Sequence, residues 1–183
     1  MKPKTLRLSY TLLNLWESNQ INEAIAYYQH KSTLFTEAIQ DGRIYDQVWQ
    51  EEIDTKKELH IGRTVIKFKA PKTQVKVEVD WLDRFQIVGV YDILDLDVLY
   101  ELKSGVTSSL EYSDSPQVKM YFFIAGLKGI PIKTSRIIRY NQYKDEADIT
   151  IFHNSKQQIE EAENYCQTLG GEIWEHFNKI GII

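Results

Sequence analysis

A single cysteine, Cys166, stands in a chain of 183 residues. One thiol cannot close a disulfide within the chain, and it cannot build a four-cysteine zinc or iron–sulfur site. Long apolar runs are missing too, since no stretch approaches the ~20 residues that cross a bilayer. The N-terminus, MKPKTLRLSYTLLNLW, begins basic, but Ser, Thr and Asn interrupt its apolar residues and no small-residue cleavage site follows. It does not read as a signal peptide, and the resulting expectation is a cytoplasmic protein. Net positive charge is also lacking. At a formal −4 the chain is not one that coats nucleic acid by bulk electrostatics. Low-complexity linkers and internal repeats are absent, so the expectation is one domain over residues 1–183 with a single sizeable core.

What is present is a folding composition: 43% hydrophobic and 12% aromatic residues place the chain among globular proteins, not disordered ones. Residues 1–57 read as a helical lead-in, with helices over Ser9–Trp16, Asn19–Gln29 and Leu34–Lys56. Gly42 is a weak point in the third, costing about 1 kcal/mol. From residue 58 the period changes to two. TVIKFK alternates, a turn follows at Ala70-Pro71-Lys72, and QVKVEVDWL then sets Val75, Val77, Val79 and Trp81 on one face. Phe85–Asp92 and Val98–Lys103 continue what reads as a four-strand meander. Ser115 and Pro116 open a helix that Gly129-Ile130-Pro131 ends. Two further strands, Arg136–Tyr140 and Ile149–Phe152, precede a last helix. That helix starts at a Ser155…Gln158 capping-box pattern, carries an apolar stripe through Cys166 and Phe177, and has a potential bend at Gly170-Gly171. The class is mixed α+β, or α/β: a central twisted, mainly antiparallel sheet within residues 58–183, flanked by helices.

The stretch GVYDILDLDVLYELKSG, residues 89–105, breaks the apolar pattern of its hairpin. A turn centred on Leu96-Asp97 puts Asp92 directly opposite Glu101. Like charges so placed repel, and partial burial raises the cost. Lys103 points to the same face as Glu101 and can offset one negative charge. A divalent cation would resolve the remainder, and carboxylate oxygens at this density suit Mg2+ or Mn2+. Asp95 and Asp97 are assigned to the turn itself. The plainer alternative makes Asp92 a strand terminator and Glu101–Lys103 an exposed ion pair; it accounts for each feature singly, and less well for the set.

Gly89-Val90-Tyr91-Asp92 followed by Glu101-Leu102-Lys103-Ser104-Gly105 resembles the core of the PD-(D/E)XK nuclease superfamily. Gln117 and Tyr121, spaced as Q-x-x-x-Y after that strand, resemble its RecB-like exonuclease branch, as do Ser9 and Thr11, the pair Tyr27-Tyr28, and the upstream helix AIQDGRIYDQVWQ. The subtype with a four-cysteine cluster is excluded by the single cysteine. The resemblance implies a restriction-endonuclease-like core. It implies that Asp92, Glu101 and the backbone carbonyl of Leu102 hold Mg2+ (or Mn2+), and that Lys103 orients or deprotonates the attacking water. Gln117 and Tyr121 would order the site and touch the DNA backbone. Lys119 would join them, within a run from Ser115 to Lys144 that holds six basic residues and no acid.

The histidine that commonly adds a metal ligand in that branch is replaced here by Tyr45. Asp46 beside it is the candidate substitute, with Glu51 or Glu52 as others. The implied activity is a Mg2+-dependent DNA nuclease, an exonuclease or DNA-end processor in repair, recombination or a mobile element, with a helicase or recombination protein as partner. The alternative, suggested by Tyr45, is a catalytically inactive nucleic-acid-binding relative of the same fold.

Overall fold

A computed structural model describes residues 5–30, 37–103, 115–141 and 143–183, and the side chains of all of these except 37–46. The elements run β1 (Leu6–Ser9), α1 (Tyr10–Glu17), α2 (Ile21–Tyr28), α3 (Glu37–Lys56), β2 (Glu58–Ile61), β3 (Thr64–Lys67), β4 (Pro71–Trp81), β5 (Phe85–Asp95) and β6 (Val98–Lys103). They continue with α4 (Pro116–Lys128), β7 (Thr134–Asn141), β8 (Glu146–His153) and α5 (Lys156–Lys179). A six-stranded sheet has the order β1-β5-β6-β7-β8, with β4 on β5. β1–β5 and β6–β7 are parallel, whereas β4–β5, β5–β6 and β7–β8 are antiparallel. The sheet is mixed, with antiparallel pairings in the majority.

Apolar side chains pack in two clusters instead of one core. Neighbours along a strand point to opposite faces, and Leu99 and Ile137 join one cluster while Tyr100, Leu102 and Ile138 join the other. Helices α1, α2, α4 and α5 cover the first face. Trp49 and Ile53 of α3, with Leu59, Ile61 and Ile66 of β2 and β3, cover the second. Several local readings hold. Val77 and Trp81 are buried on the face that the alternation selects. Ser155 Oγ accepts from the Gln158 amide at 3.2 Å to start α5. Gly129 ends α4 with a left-handed φ of 66°, which glycine adopts without steric cost. Cys166 is fully buried on the α5 stripe, and that burial pushes its thiol up to about 12.

Four readings are corrected. The lead-in is not wholly helical: Leu6–Ser9 is a strand, parallel to β5 from Leu6↔Phe85 to Ser9↔Val88. At four residues it is too short for its period to be told from the start of a helix. Thr64–Lys67 does not open the meander either. It pairs with β2 in a separate two-stranded sheet, from Glu58↔Lys67 to Ile61↔Thr64. No interruption falls at Gly42, through which α3 runs unbroken. At Gly170 a Cβ would stand 2.8 Å from Leu8 Cδ1, so that glycine permits close packing of α5 on β1.

Asp95, assigned above to the hairpin turn, serves a different one. It is buried at the end of β5, and its carboxylate accepts from the amides of Lys69 (3.0 Å) and Ala70 (2.6 Å) in the connection between β3 and β4. Removing the carboxylate leaves both donors without it. Asp95→Ala should therefore lower the unfolding free energy by about 2 kcal/mol, read from urea denaturation. An unchanged midpoint would show that water replaces the carboxylate there.

Candidate active site

The site begins with a shortage of partners along one strand. β4 pairs with β5 from Phe85 to Asp95 and so occupies one edge of it. The other edge is shared: β1 takes Phe85–Val88, and β6 takes Ile93–Asp95. Gly89, Val90, Tyr91 and Asp92 lie between, where neither strand pairs. Helix α4 crosses this gap. Its Tyr121 hydroxyl donates to the Val90 carbonyl at 2.9 Å, in place of a strand partner. Gly89 permits the approach, because a Cβ there would stand 3.1 Å from Ile124 and 3.2 Å from the Tyr121 ring.

At Asp92 the regular strand geometry fails on both sides. The β5–β6 ladder has its last pair at Ile93↔Tyr100, one step short of the Asp92–Glu101 pairing that the same register would make next. The Asp92 carboxylate instead accepts from the backbone N–H of Leu102 at 2.8 Å. Across β4, Gln74 takes a left-handed φ of 48° and drops out of the ladder. The face alternation of β5 slips at the same point. Tyr91 belongs to the first cluster, Ile93 to the second, and Leu94 packs on the first again. Asp92 is thereby set on the side of the sheet that carries Glu101, close enough for its charge to act on the Tyr121 hydroxyl.

Beyond Tyr100, β6 continues alongside β7, paired in parallel from Val98↔Thr134 to Lys103↔Arg139. Glu101 and Lys103, two residues apart, share a face. Glu101 is only 4% exposed. A buried carboxylate needs compensation. The Lys103 ammonium supplies it at 2.6 Å, and the Gln117 amide donates at 2.7 Å to the same oxygen. Gln117 also accepts from Lys103 at 3.2 Å and donates to the Tyr121 hydroxyl at 2.9 Å. Four spacings along α4 bring Gln117 and Tyr121 to one side of the helix. Burial, and then the charge of Glu101, hold the Tyr121 hydroxyl far above the usual tyrosine range. It stays protonated and keeps its bond to Val90.

The remaining candidates fall elsewhere. Lys119 lies on another side of α4 and is ion-paired with Glu161 of α5 at 2.7 Å. Other members of the basic run are matched by acids outside it: Lys133 by Asp97 (2.7 Å) and Arg139 by Asp148 (2.9 Å), its cross-strand partner on β8, while Arg136 lies over the Tyr100 ring. Tyr45 and Asp46 lie within α3, but their side chains are outside the described residues, as are Ser104 and Gly105. Glu52 is held by His60 (2.8 Å) and Lys56 (3.2 Å). Among the described residues no three His, Cys, Asp or Glu side chains converge on one point. The carboxylates of Asp92 and Glu101, joined through the Leu102 amide and the Lys103–Gln117 contacts, are hard oxygen donors. They suit a cation such as Mg2+, which keeps several waters and needs only one or two carboxylates.

The sequence reading missed a cavity of about 580 Å3 beside the network, whose lining includes Tyr10, Tyr27, Tyr28, Arg7 and Lys76 as well as Gln117 and Tyr121. The Tyr27-Tyr28 pair was a signal for it. Its position opposite β5 depends on β1, which the sequence pattern concealed.

No protein-family model and no curated protein sequence matches the chain. Solved structures do. The chain is similar to an alkaline exonuclease, LHK-Exo, from Laribacter hongkongensis, with a TM-score of 0.60 and 12% identity over 96% of this chain and 91% of that one. LHK-Exo in complex with dAMP matches with a TM-score of 0.56 and 15% identity over 95% and 93% of the two chains. A protein from Eubacterium rectale, provisionally designated an exonuclease, matches with a TM-score of 0.60 and 17% identity over 85% and 73%. The chain therefore has the PD-(D/E)XK-like nuclease fold.

The gap at β5 predicts a specific sensitivity. Gly89→Val would drive a branched side chain into Ile124 and Tyr121 and should cost about 2 kcal/mol of stability by overpacking, measured by thermal and urea unfolding. An unperturbed Gly89→Val protein would mean that α4 is not closely seated over the gap.

Proposed function

We propose that this protein is a divalent-metal-dependent nuclease that hydrolyses phosphodiester bonds in DNA, acting as an exonuclease or DNA-end processor. One observation carries the proposal: Asp92, Glu101, Lys103 and Gln117 meet at the open edge of β5, linked through Leu102 and Tyr121. The fold shared with LHK-Exo, an alkaline exonuclease also crystallised with a deoxynucleotide, supports the choice of reaction and of DNA. Work on DNA ends in repair, recombination or a mobile element, alongside a helicase or recombination protein, belongs to the same proposal.

Asp92, Glu101 and the Leu102 carbonyl would hold Mg2+ or Mn2+. A cation there supplies Lewis-acid stabilisation of charge growing on the phosphate and makes water easier to deprotonate. The Lys103 ammonium is fixed by Glu101 and Gln117, which spares it the cost of being ordered during the reaction. From that position it orients the attacking water and balances the charge of the pentacovalent phosphorus. Gln117 fixes Lys103 and Glu101 relative to each other, and Tyr121 fixes Gln117. Leu102 contributes through its backbone: its N–H aims Asp92, and its carbonyl adds an oxygen donor. The second reading, a silent DNA-binding relative, draws on Tyr45 in place of the branch's usual histidine.

Incubation of linear and covalently closed circular DNA with Mg2+, Mn2+ or EDTA tests the proposal. Linear DNA should be degraded only with metal, and closed circles should survive. Asp92→Asn, Glu101→Gln and Lys103→Ala should each slow cleavage by roughly 100-fold or more. An inert wild type whose DNA binding is indifferent to Glu101→Gln would replace the nuclease by the silent relative.

A further inference from the structure

The cavity beside the network joins aromatic walls to polar and basic ones, the latter including Ser9, Thr11 and His30. Tyr10 of α1 and Tyr27 and Tyr28 of α2 contribute half-buried rings, and Val88 of β5 adds an aliphatic side chain. Tyr27 is oriented by its hydroxyl, which lies 3.1 Å from Ser9 Oγ. Arg7 and Lys76 are its arginine and lysine lining residues. Both bind Glu78, at 2.6 and 2.8 Å, so two cations share one acid and a net positive charge is left there. Gln117 lines the cavity and also hydrogen-bonds Glu101 and Lys103, so the cavity and the network share a wall.

We propose that this cavity receives an unpaired nucleobase, which makes the preferred substrate a single strand or a frayed end; the inference rests on the nuclease reading for its substrate. Aromatic and aliphatic walls recognise the face of a base. In a duplex those faces are stacked on one another, and only base edges are displayed in the grooves. A base becomes available to ring walls only where pairing is lost. The surplus positive charge at Arg7 and Lys76 suits the phosphates that flank such a base, and Gln117 lies where the backbone leading from it meets Glu101 and Lys103.

Fluorescence anisotropy in EDTA, where cleavage does not intervene, tests this with three labelled probes of matched length: oligothymidylate, an abasic strand and a blunt duplex. Oligothymidylate should bind roughly tenfold more tightly than either of the others, the size of one lost stacking contact. Tyr27→Leu should abolish that margin, while Tyr27→Phe, which keeps the ring, should preserve it. Tyr10→Leu gives a second test if Tyr27→Leu does not fold. Equal affinity for the abasic strand would overturn the inference, since only the backbone would then be held. Cleavage with Mg2+ is a separate readout. Cleavage without base-dependent binding removes the cavity's role and leaves the nuclease; base-dependent binding without cleavage does the reverse.

Discussion

Everything at the candidate site depends on β5 having more strand than its neighbours can pair. With β4 along one edge, the other edge is divided between a parallel strand, β1, and an antiparallel one, β6. Backbone carbonyls and amides left between them must find other partners. Tyr121 answers one need from above, by donating to Val90. Asp92 answers another from within the sheet, by accepting from Leu102. The Asp92 carboxylate, a proposed metal ligand, is thus held by the same hydrogen bond that repairs the broken ladder. Loss of regular pairing and the aiming of Asp92 are one event.

The charges tell a related story. Glu101 is nearly inaccessible, and such a carboxylate is costly unless paired and hydrogen-bonded. Here an ammonium and an amide both meet the same oxygen. A buried pair of this kind adds little to stability compared with apolar residues of similar volume. Its persistence is better explained by position: Lys103 and Glu101 are locked to each other and to α4, and α4 is locked to β5 through Tyr121. Preorganisation of this kind lowers the cost of fixing charged groups at the moment of reaction.

What was legible in the sequence was local. The turn at Leu96-Asp97 fixed the register of β5 and β6, and the E-x-K and Q-x-x-x-Y spacings fixed which side chains share a face. These follow from periods of two and of 3.6 residues and survive in the structure, except that the ladder ends at Ile93↔Tyr100 and the expected Asp92–Glu101 pair is not formed. Charge along the chain misled for the same reason. The run from Ser115 to Lys144 lacks acids in sequence, yet Asp97, Asp148 and Glu161 reach Lys133, Arg139 and Lys119 in space. Pairing between distant segments has no period to betray it. The same limit hid the role of Asp95, whose partners lie 25 and 26 residues upstream.

The costliest omission was β1, because four residues with two buried leucines carry almost no periodic signal. Yet this strand does more than widen the sheet. By pairing with Phe85–Val88 and stopping, it sets the upstream limit of the gap in which Asp92 lies. Ser9, where it ends, caps α1 by accepting from the Leu12 amide at 3.3 Å and orients Tyr27. Arg7, within it, lines the cavity and pairs with Glu78 of β4. The hairpin alone can gather carboxylates and a lysine. Only with β1 in place is there a bounded space beside them, with an aromatic wall on one side and the network on the other. A hairpin of this sequence placed in a sheet without that short parallel strand would keep its charges and lose the cavity beside them.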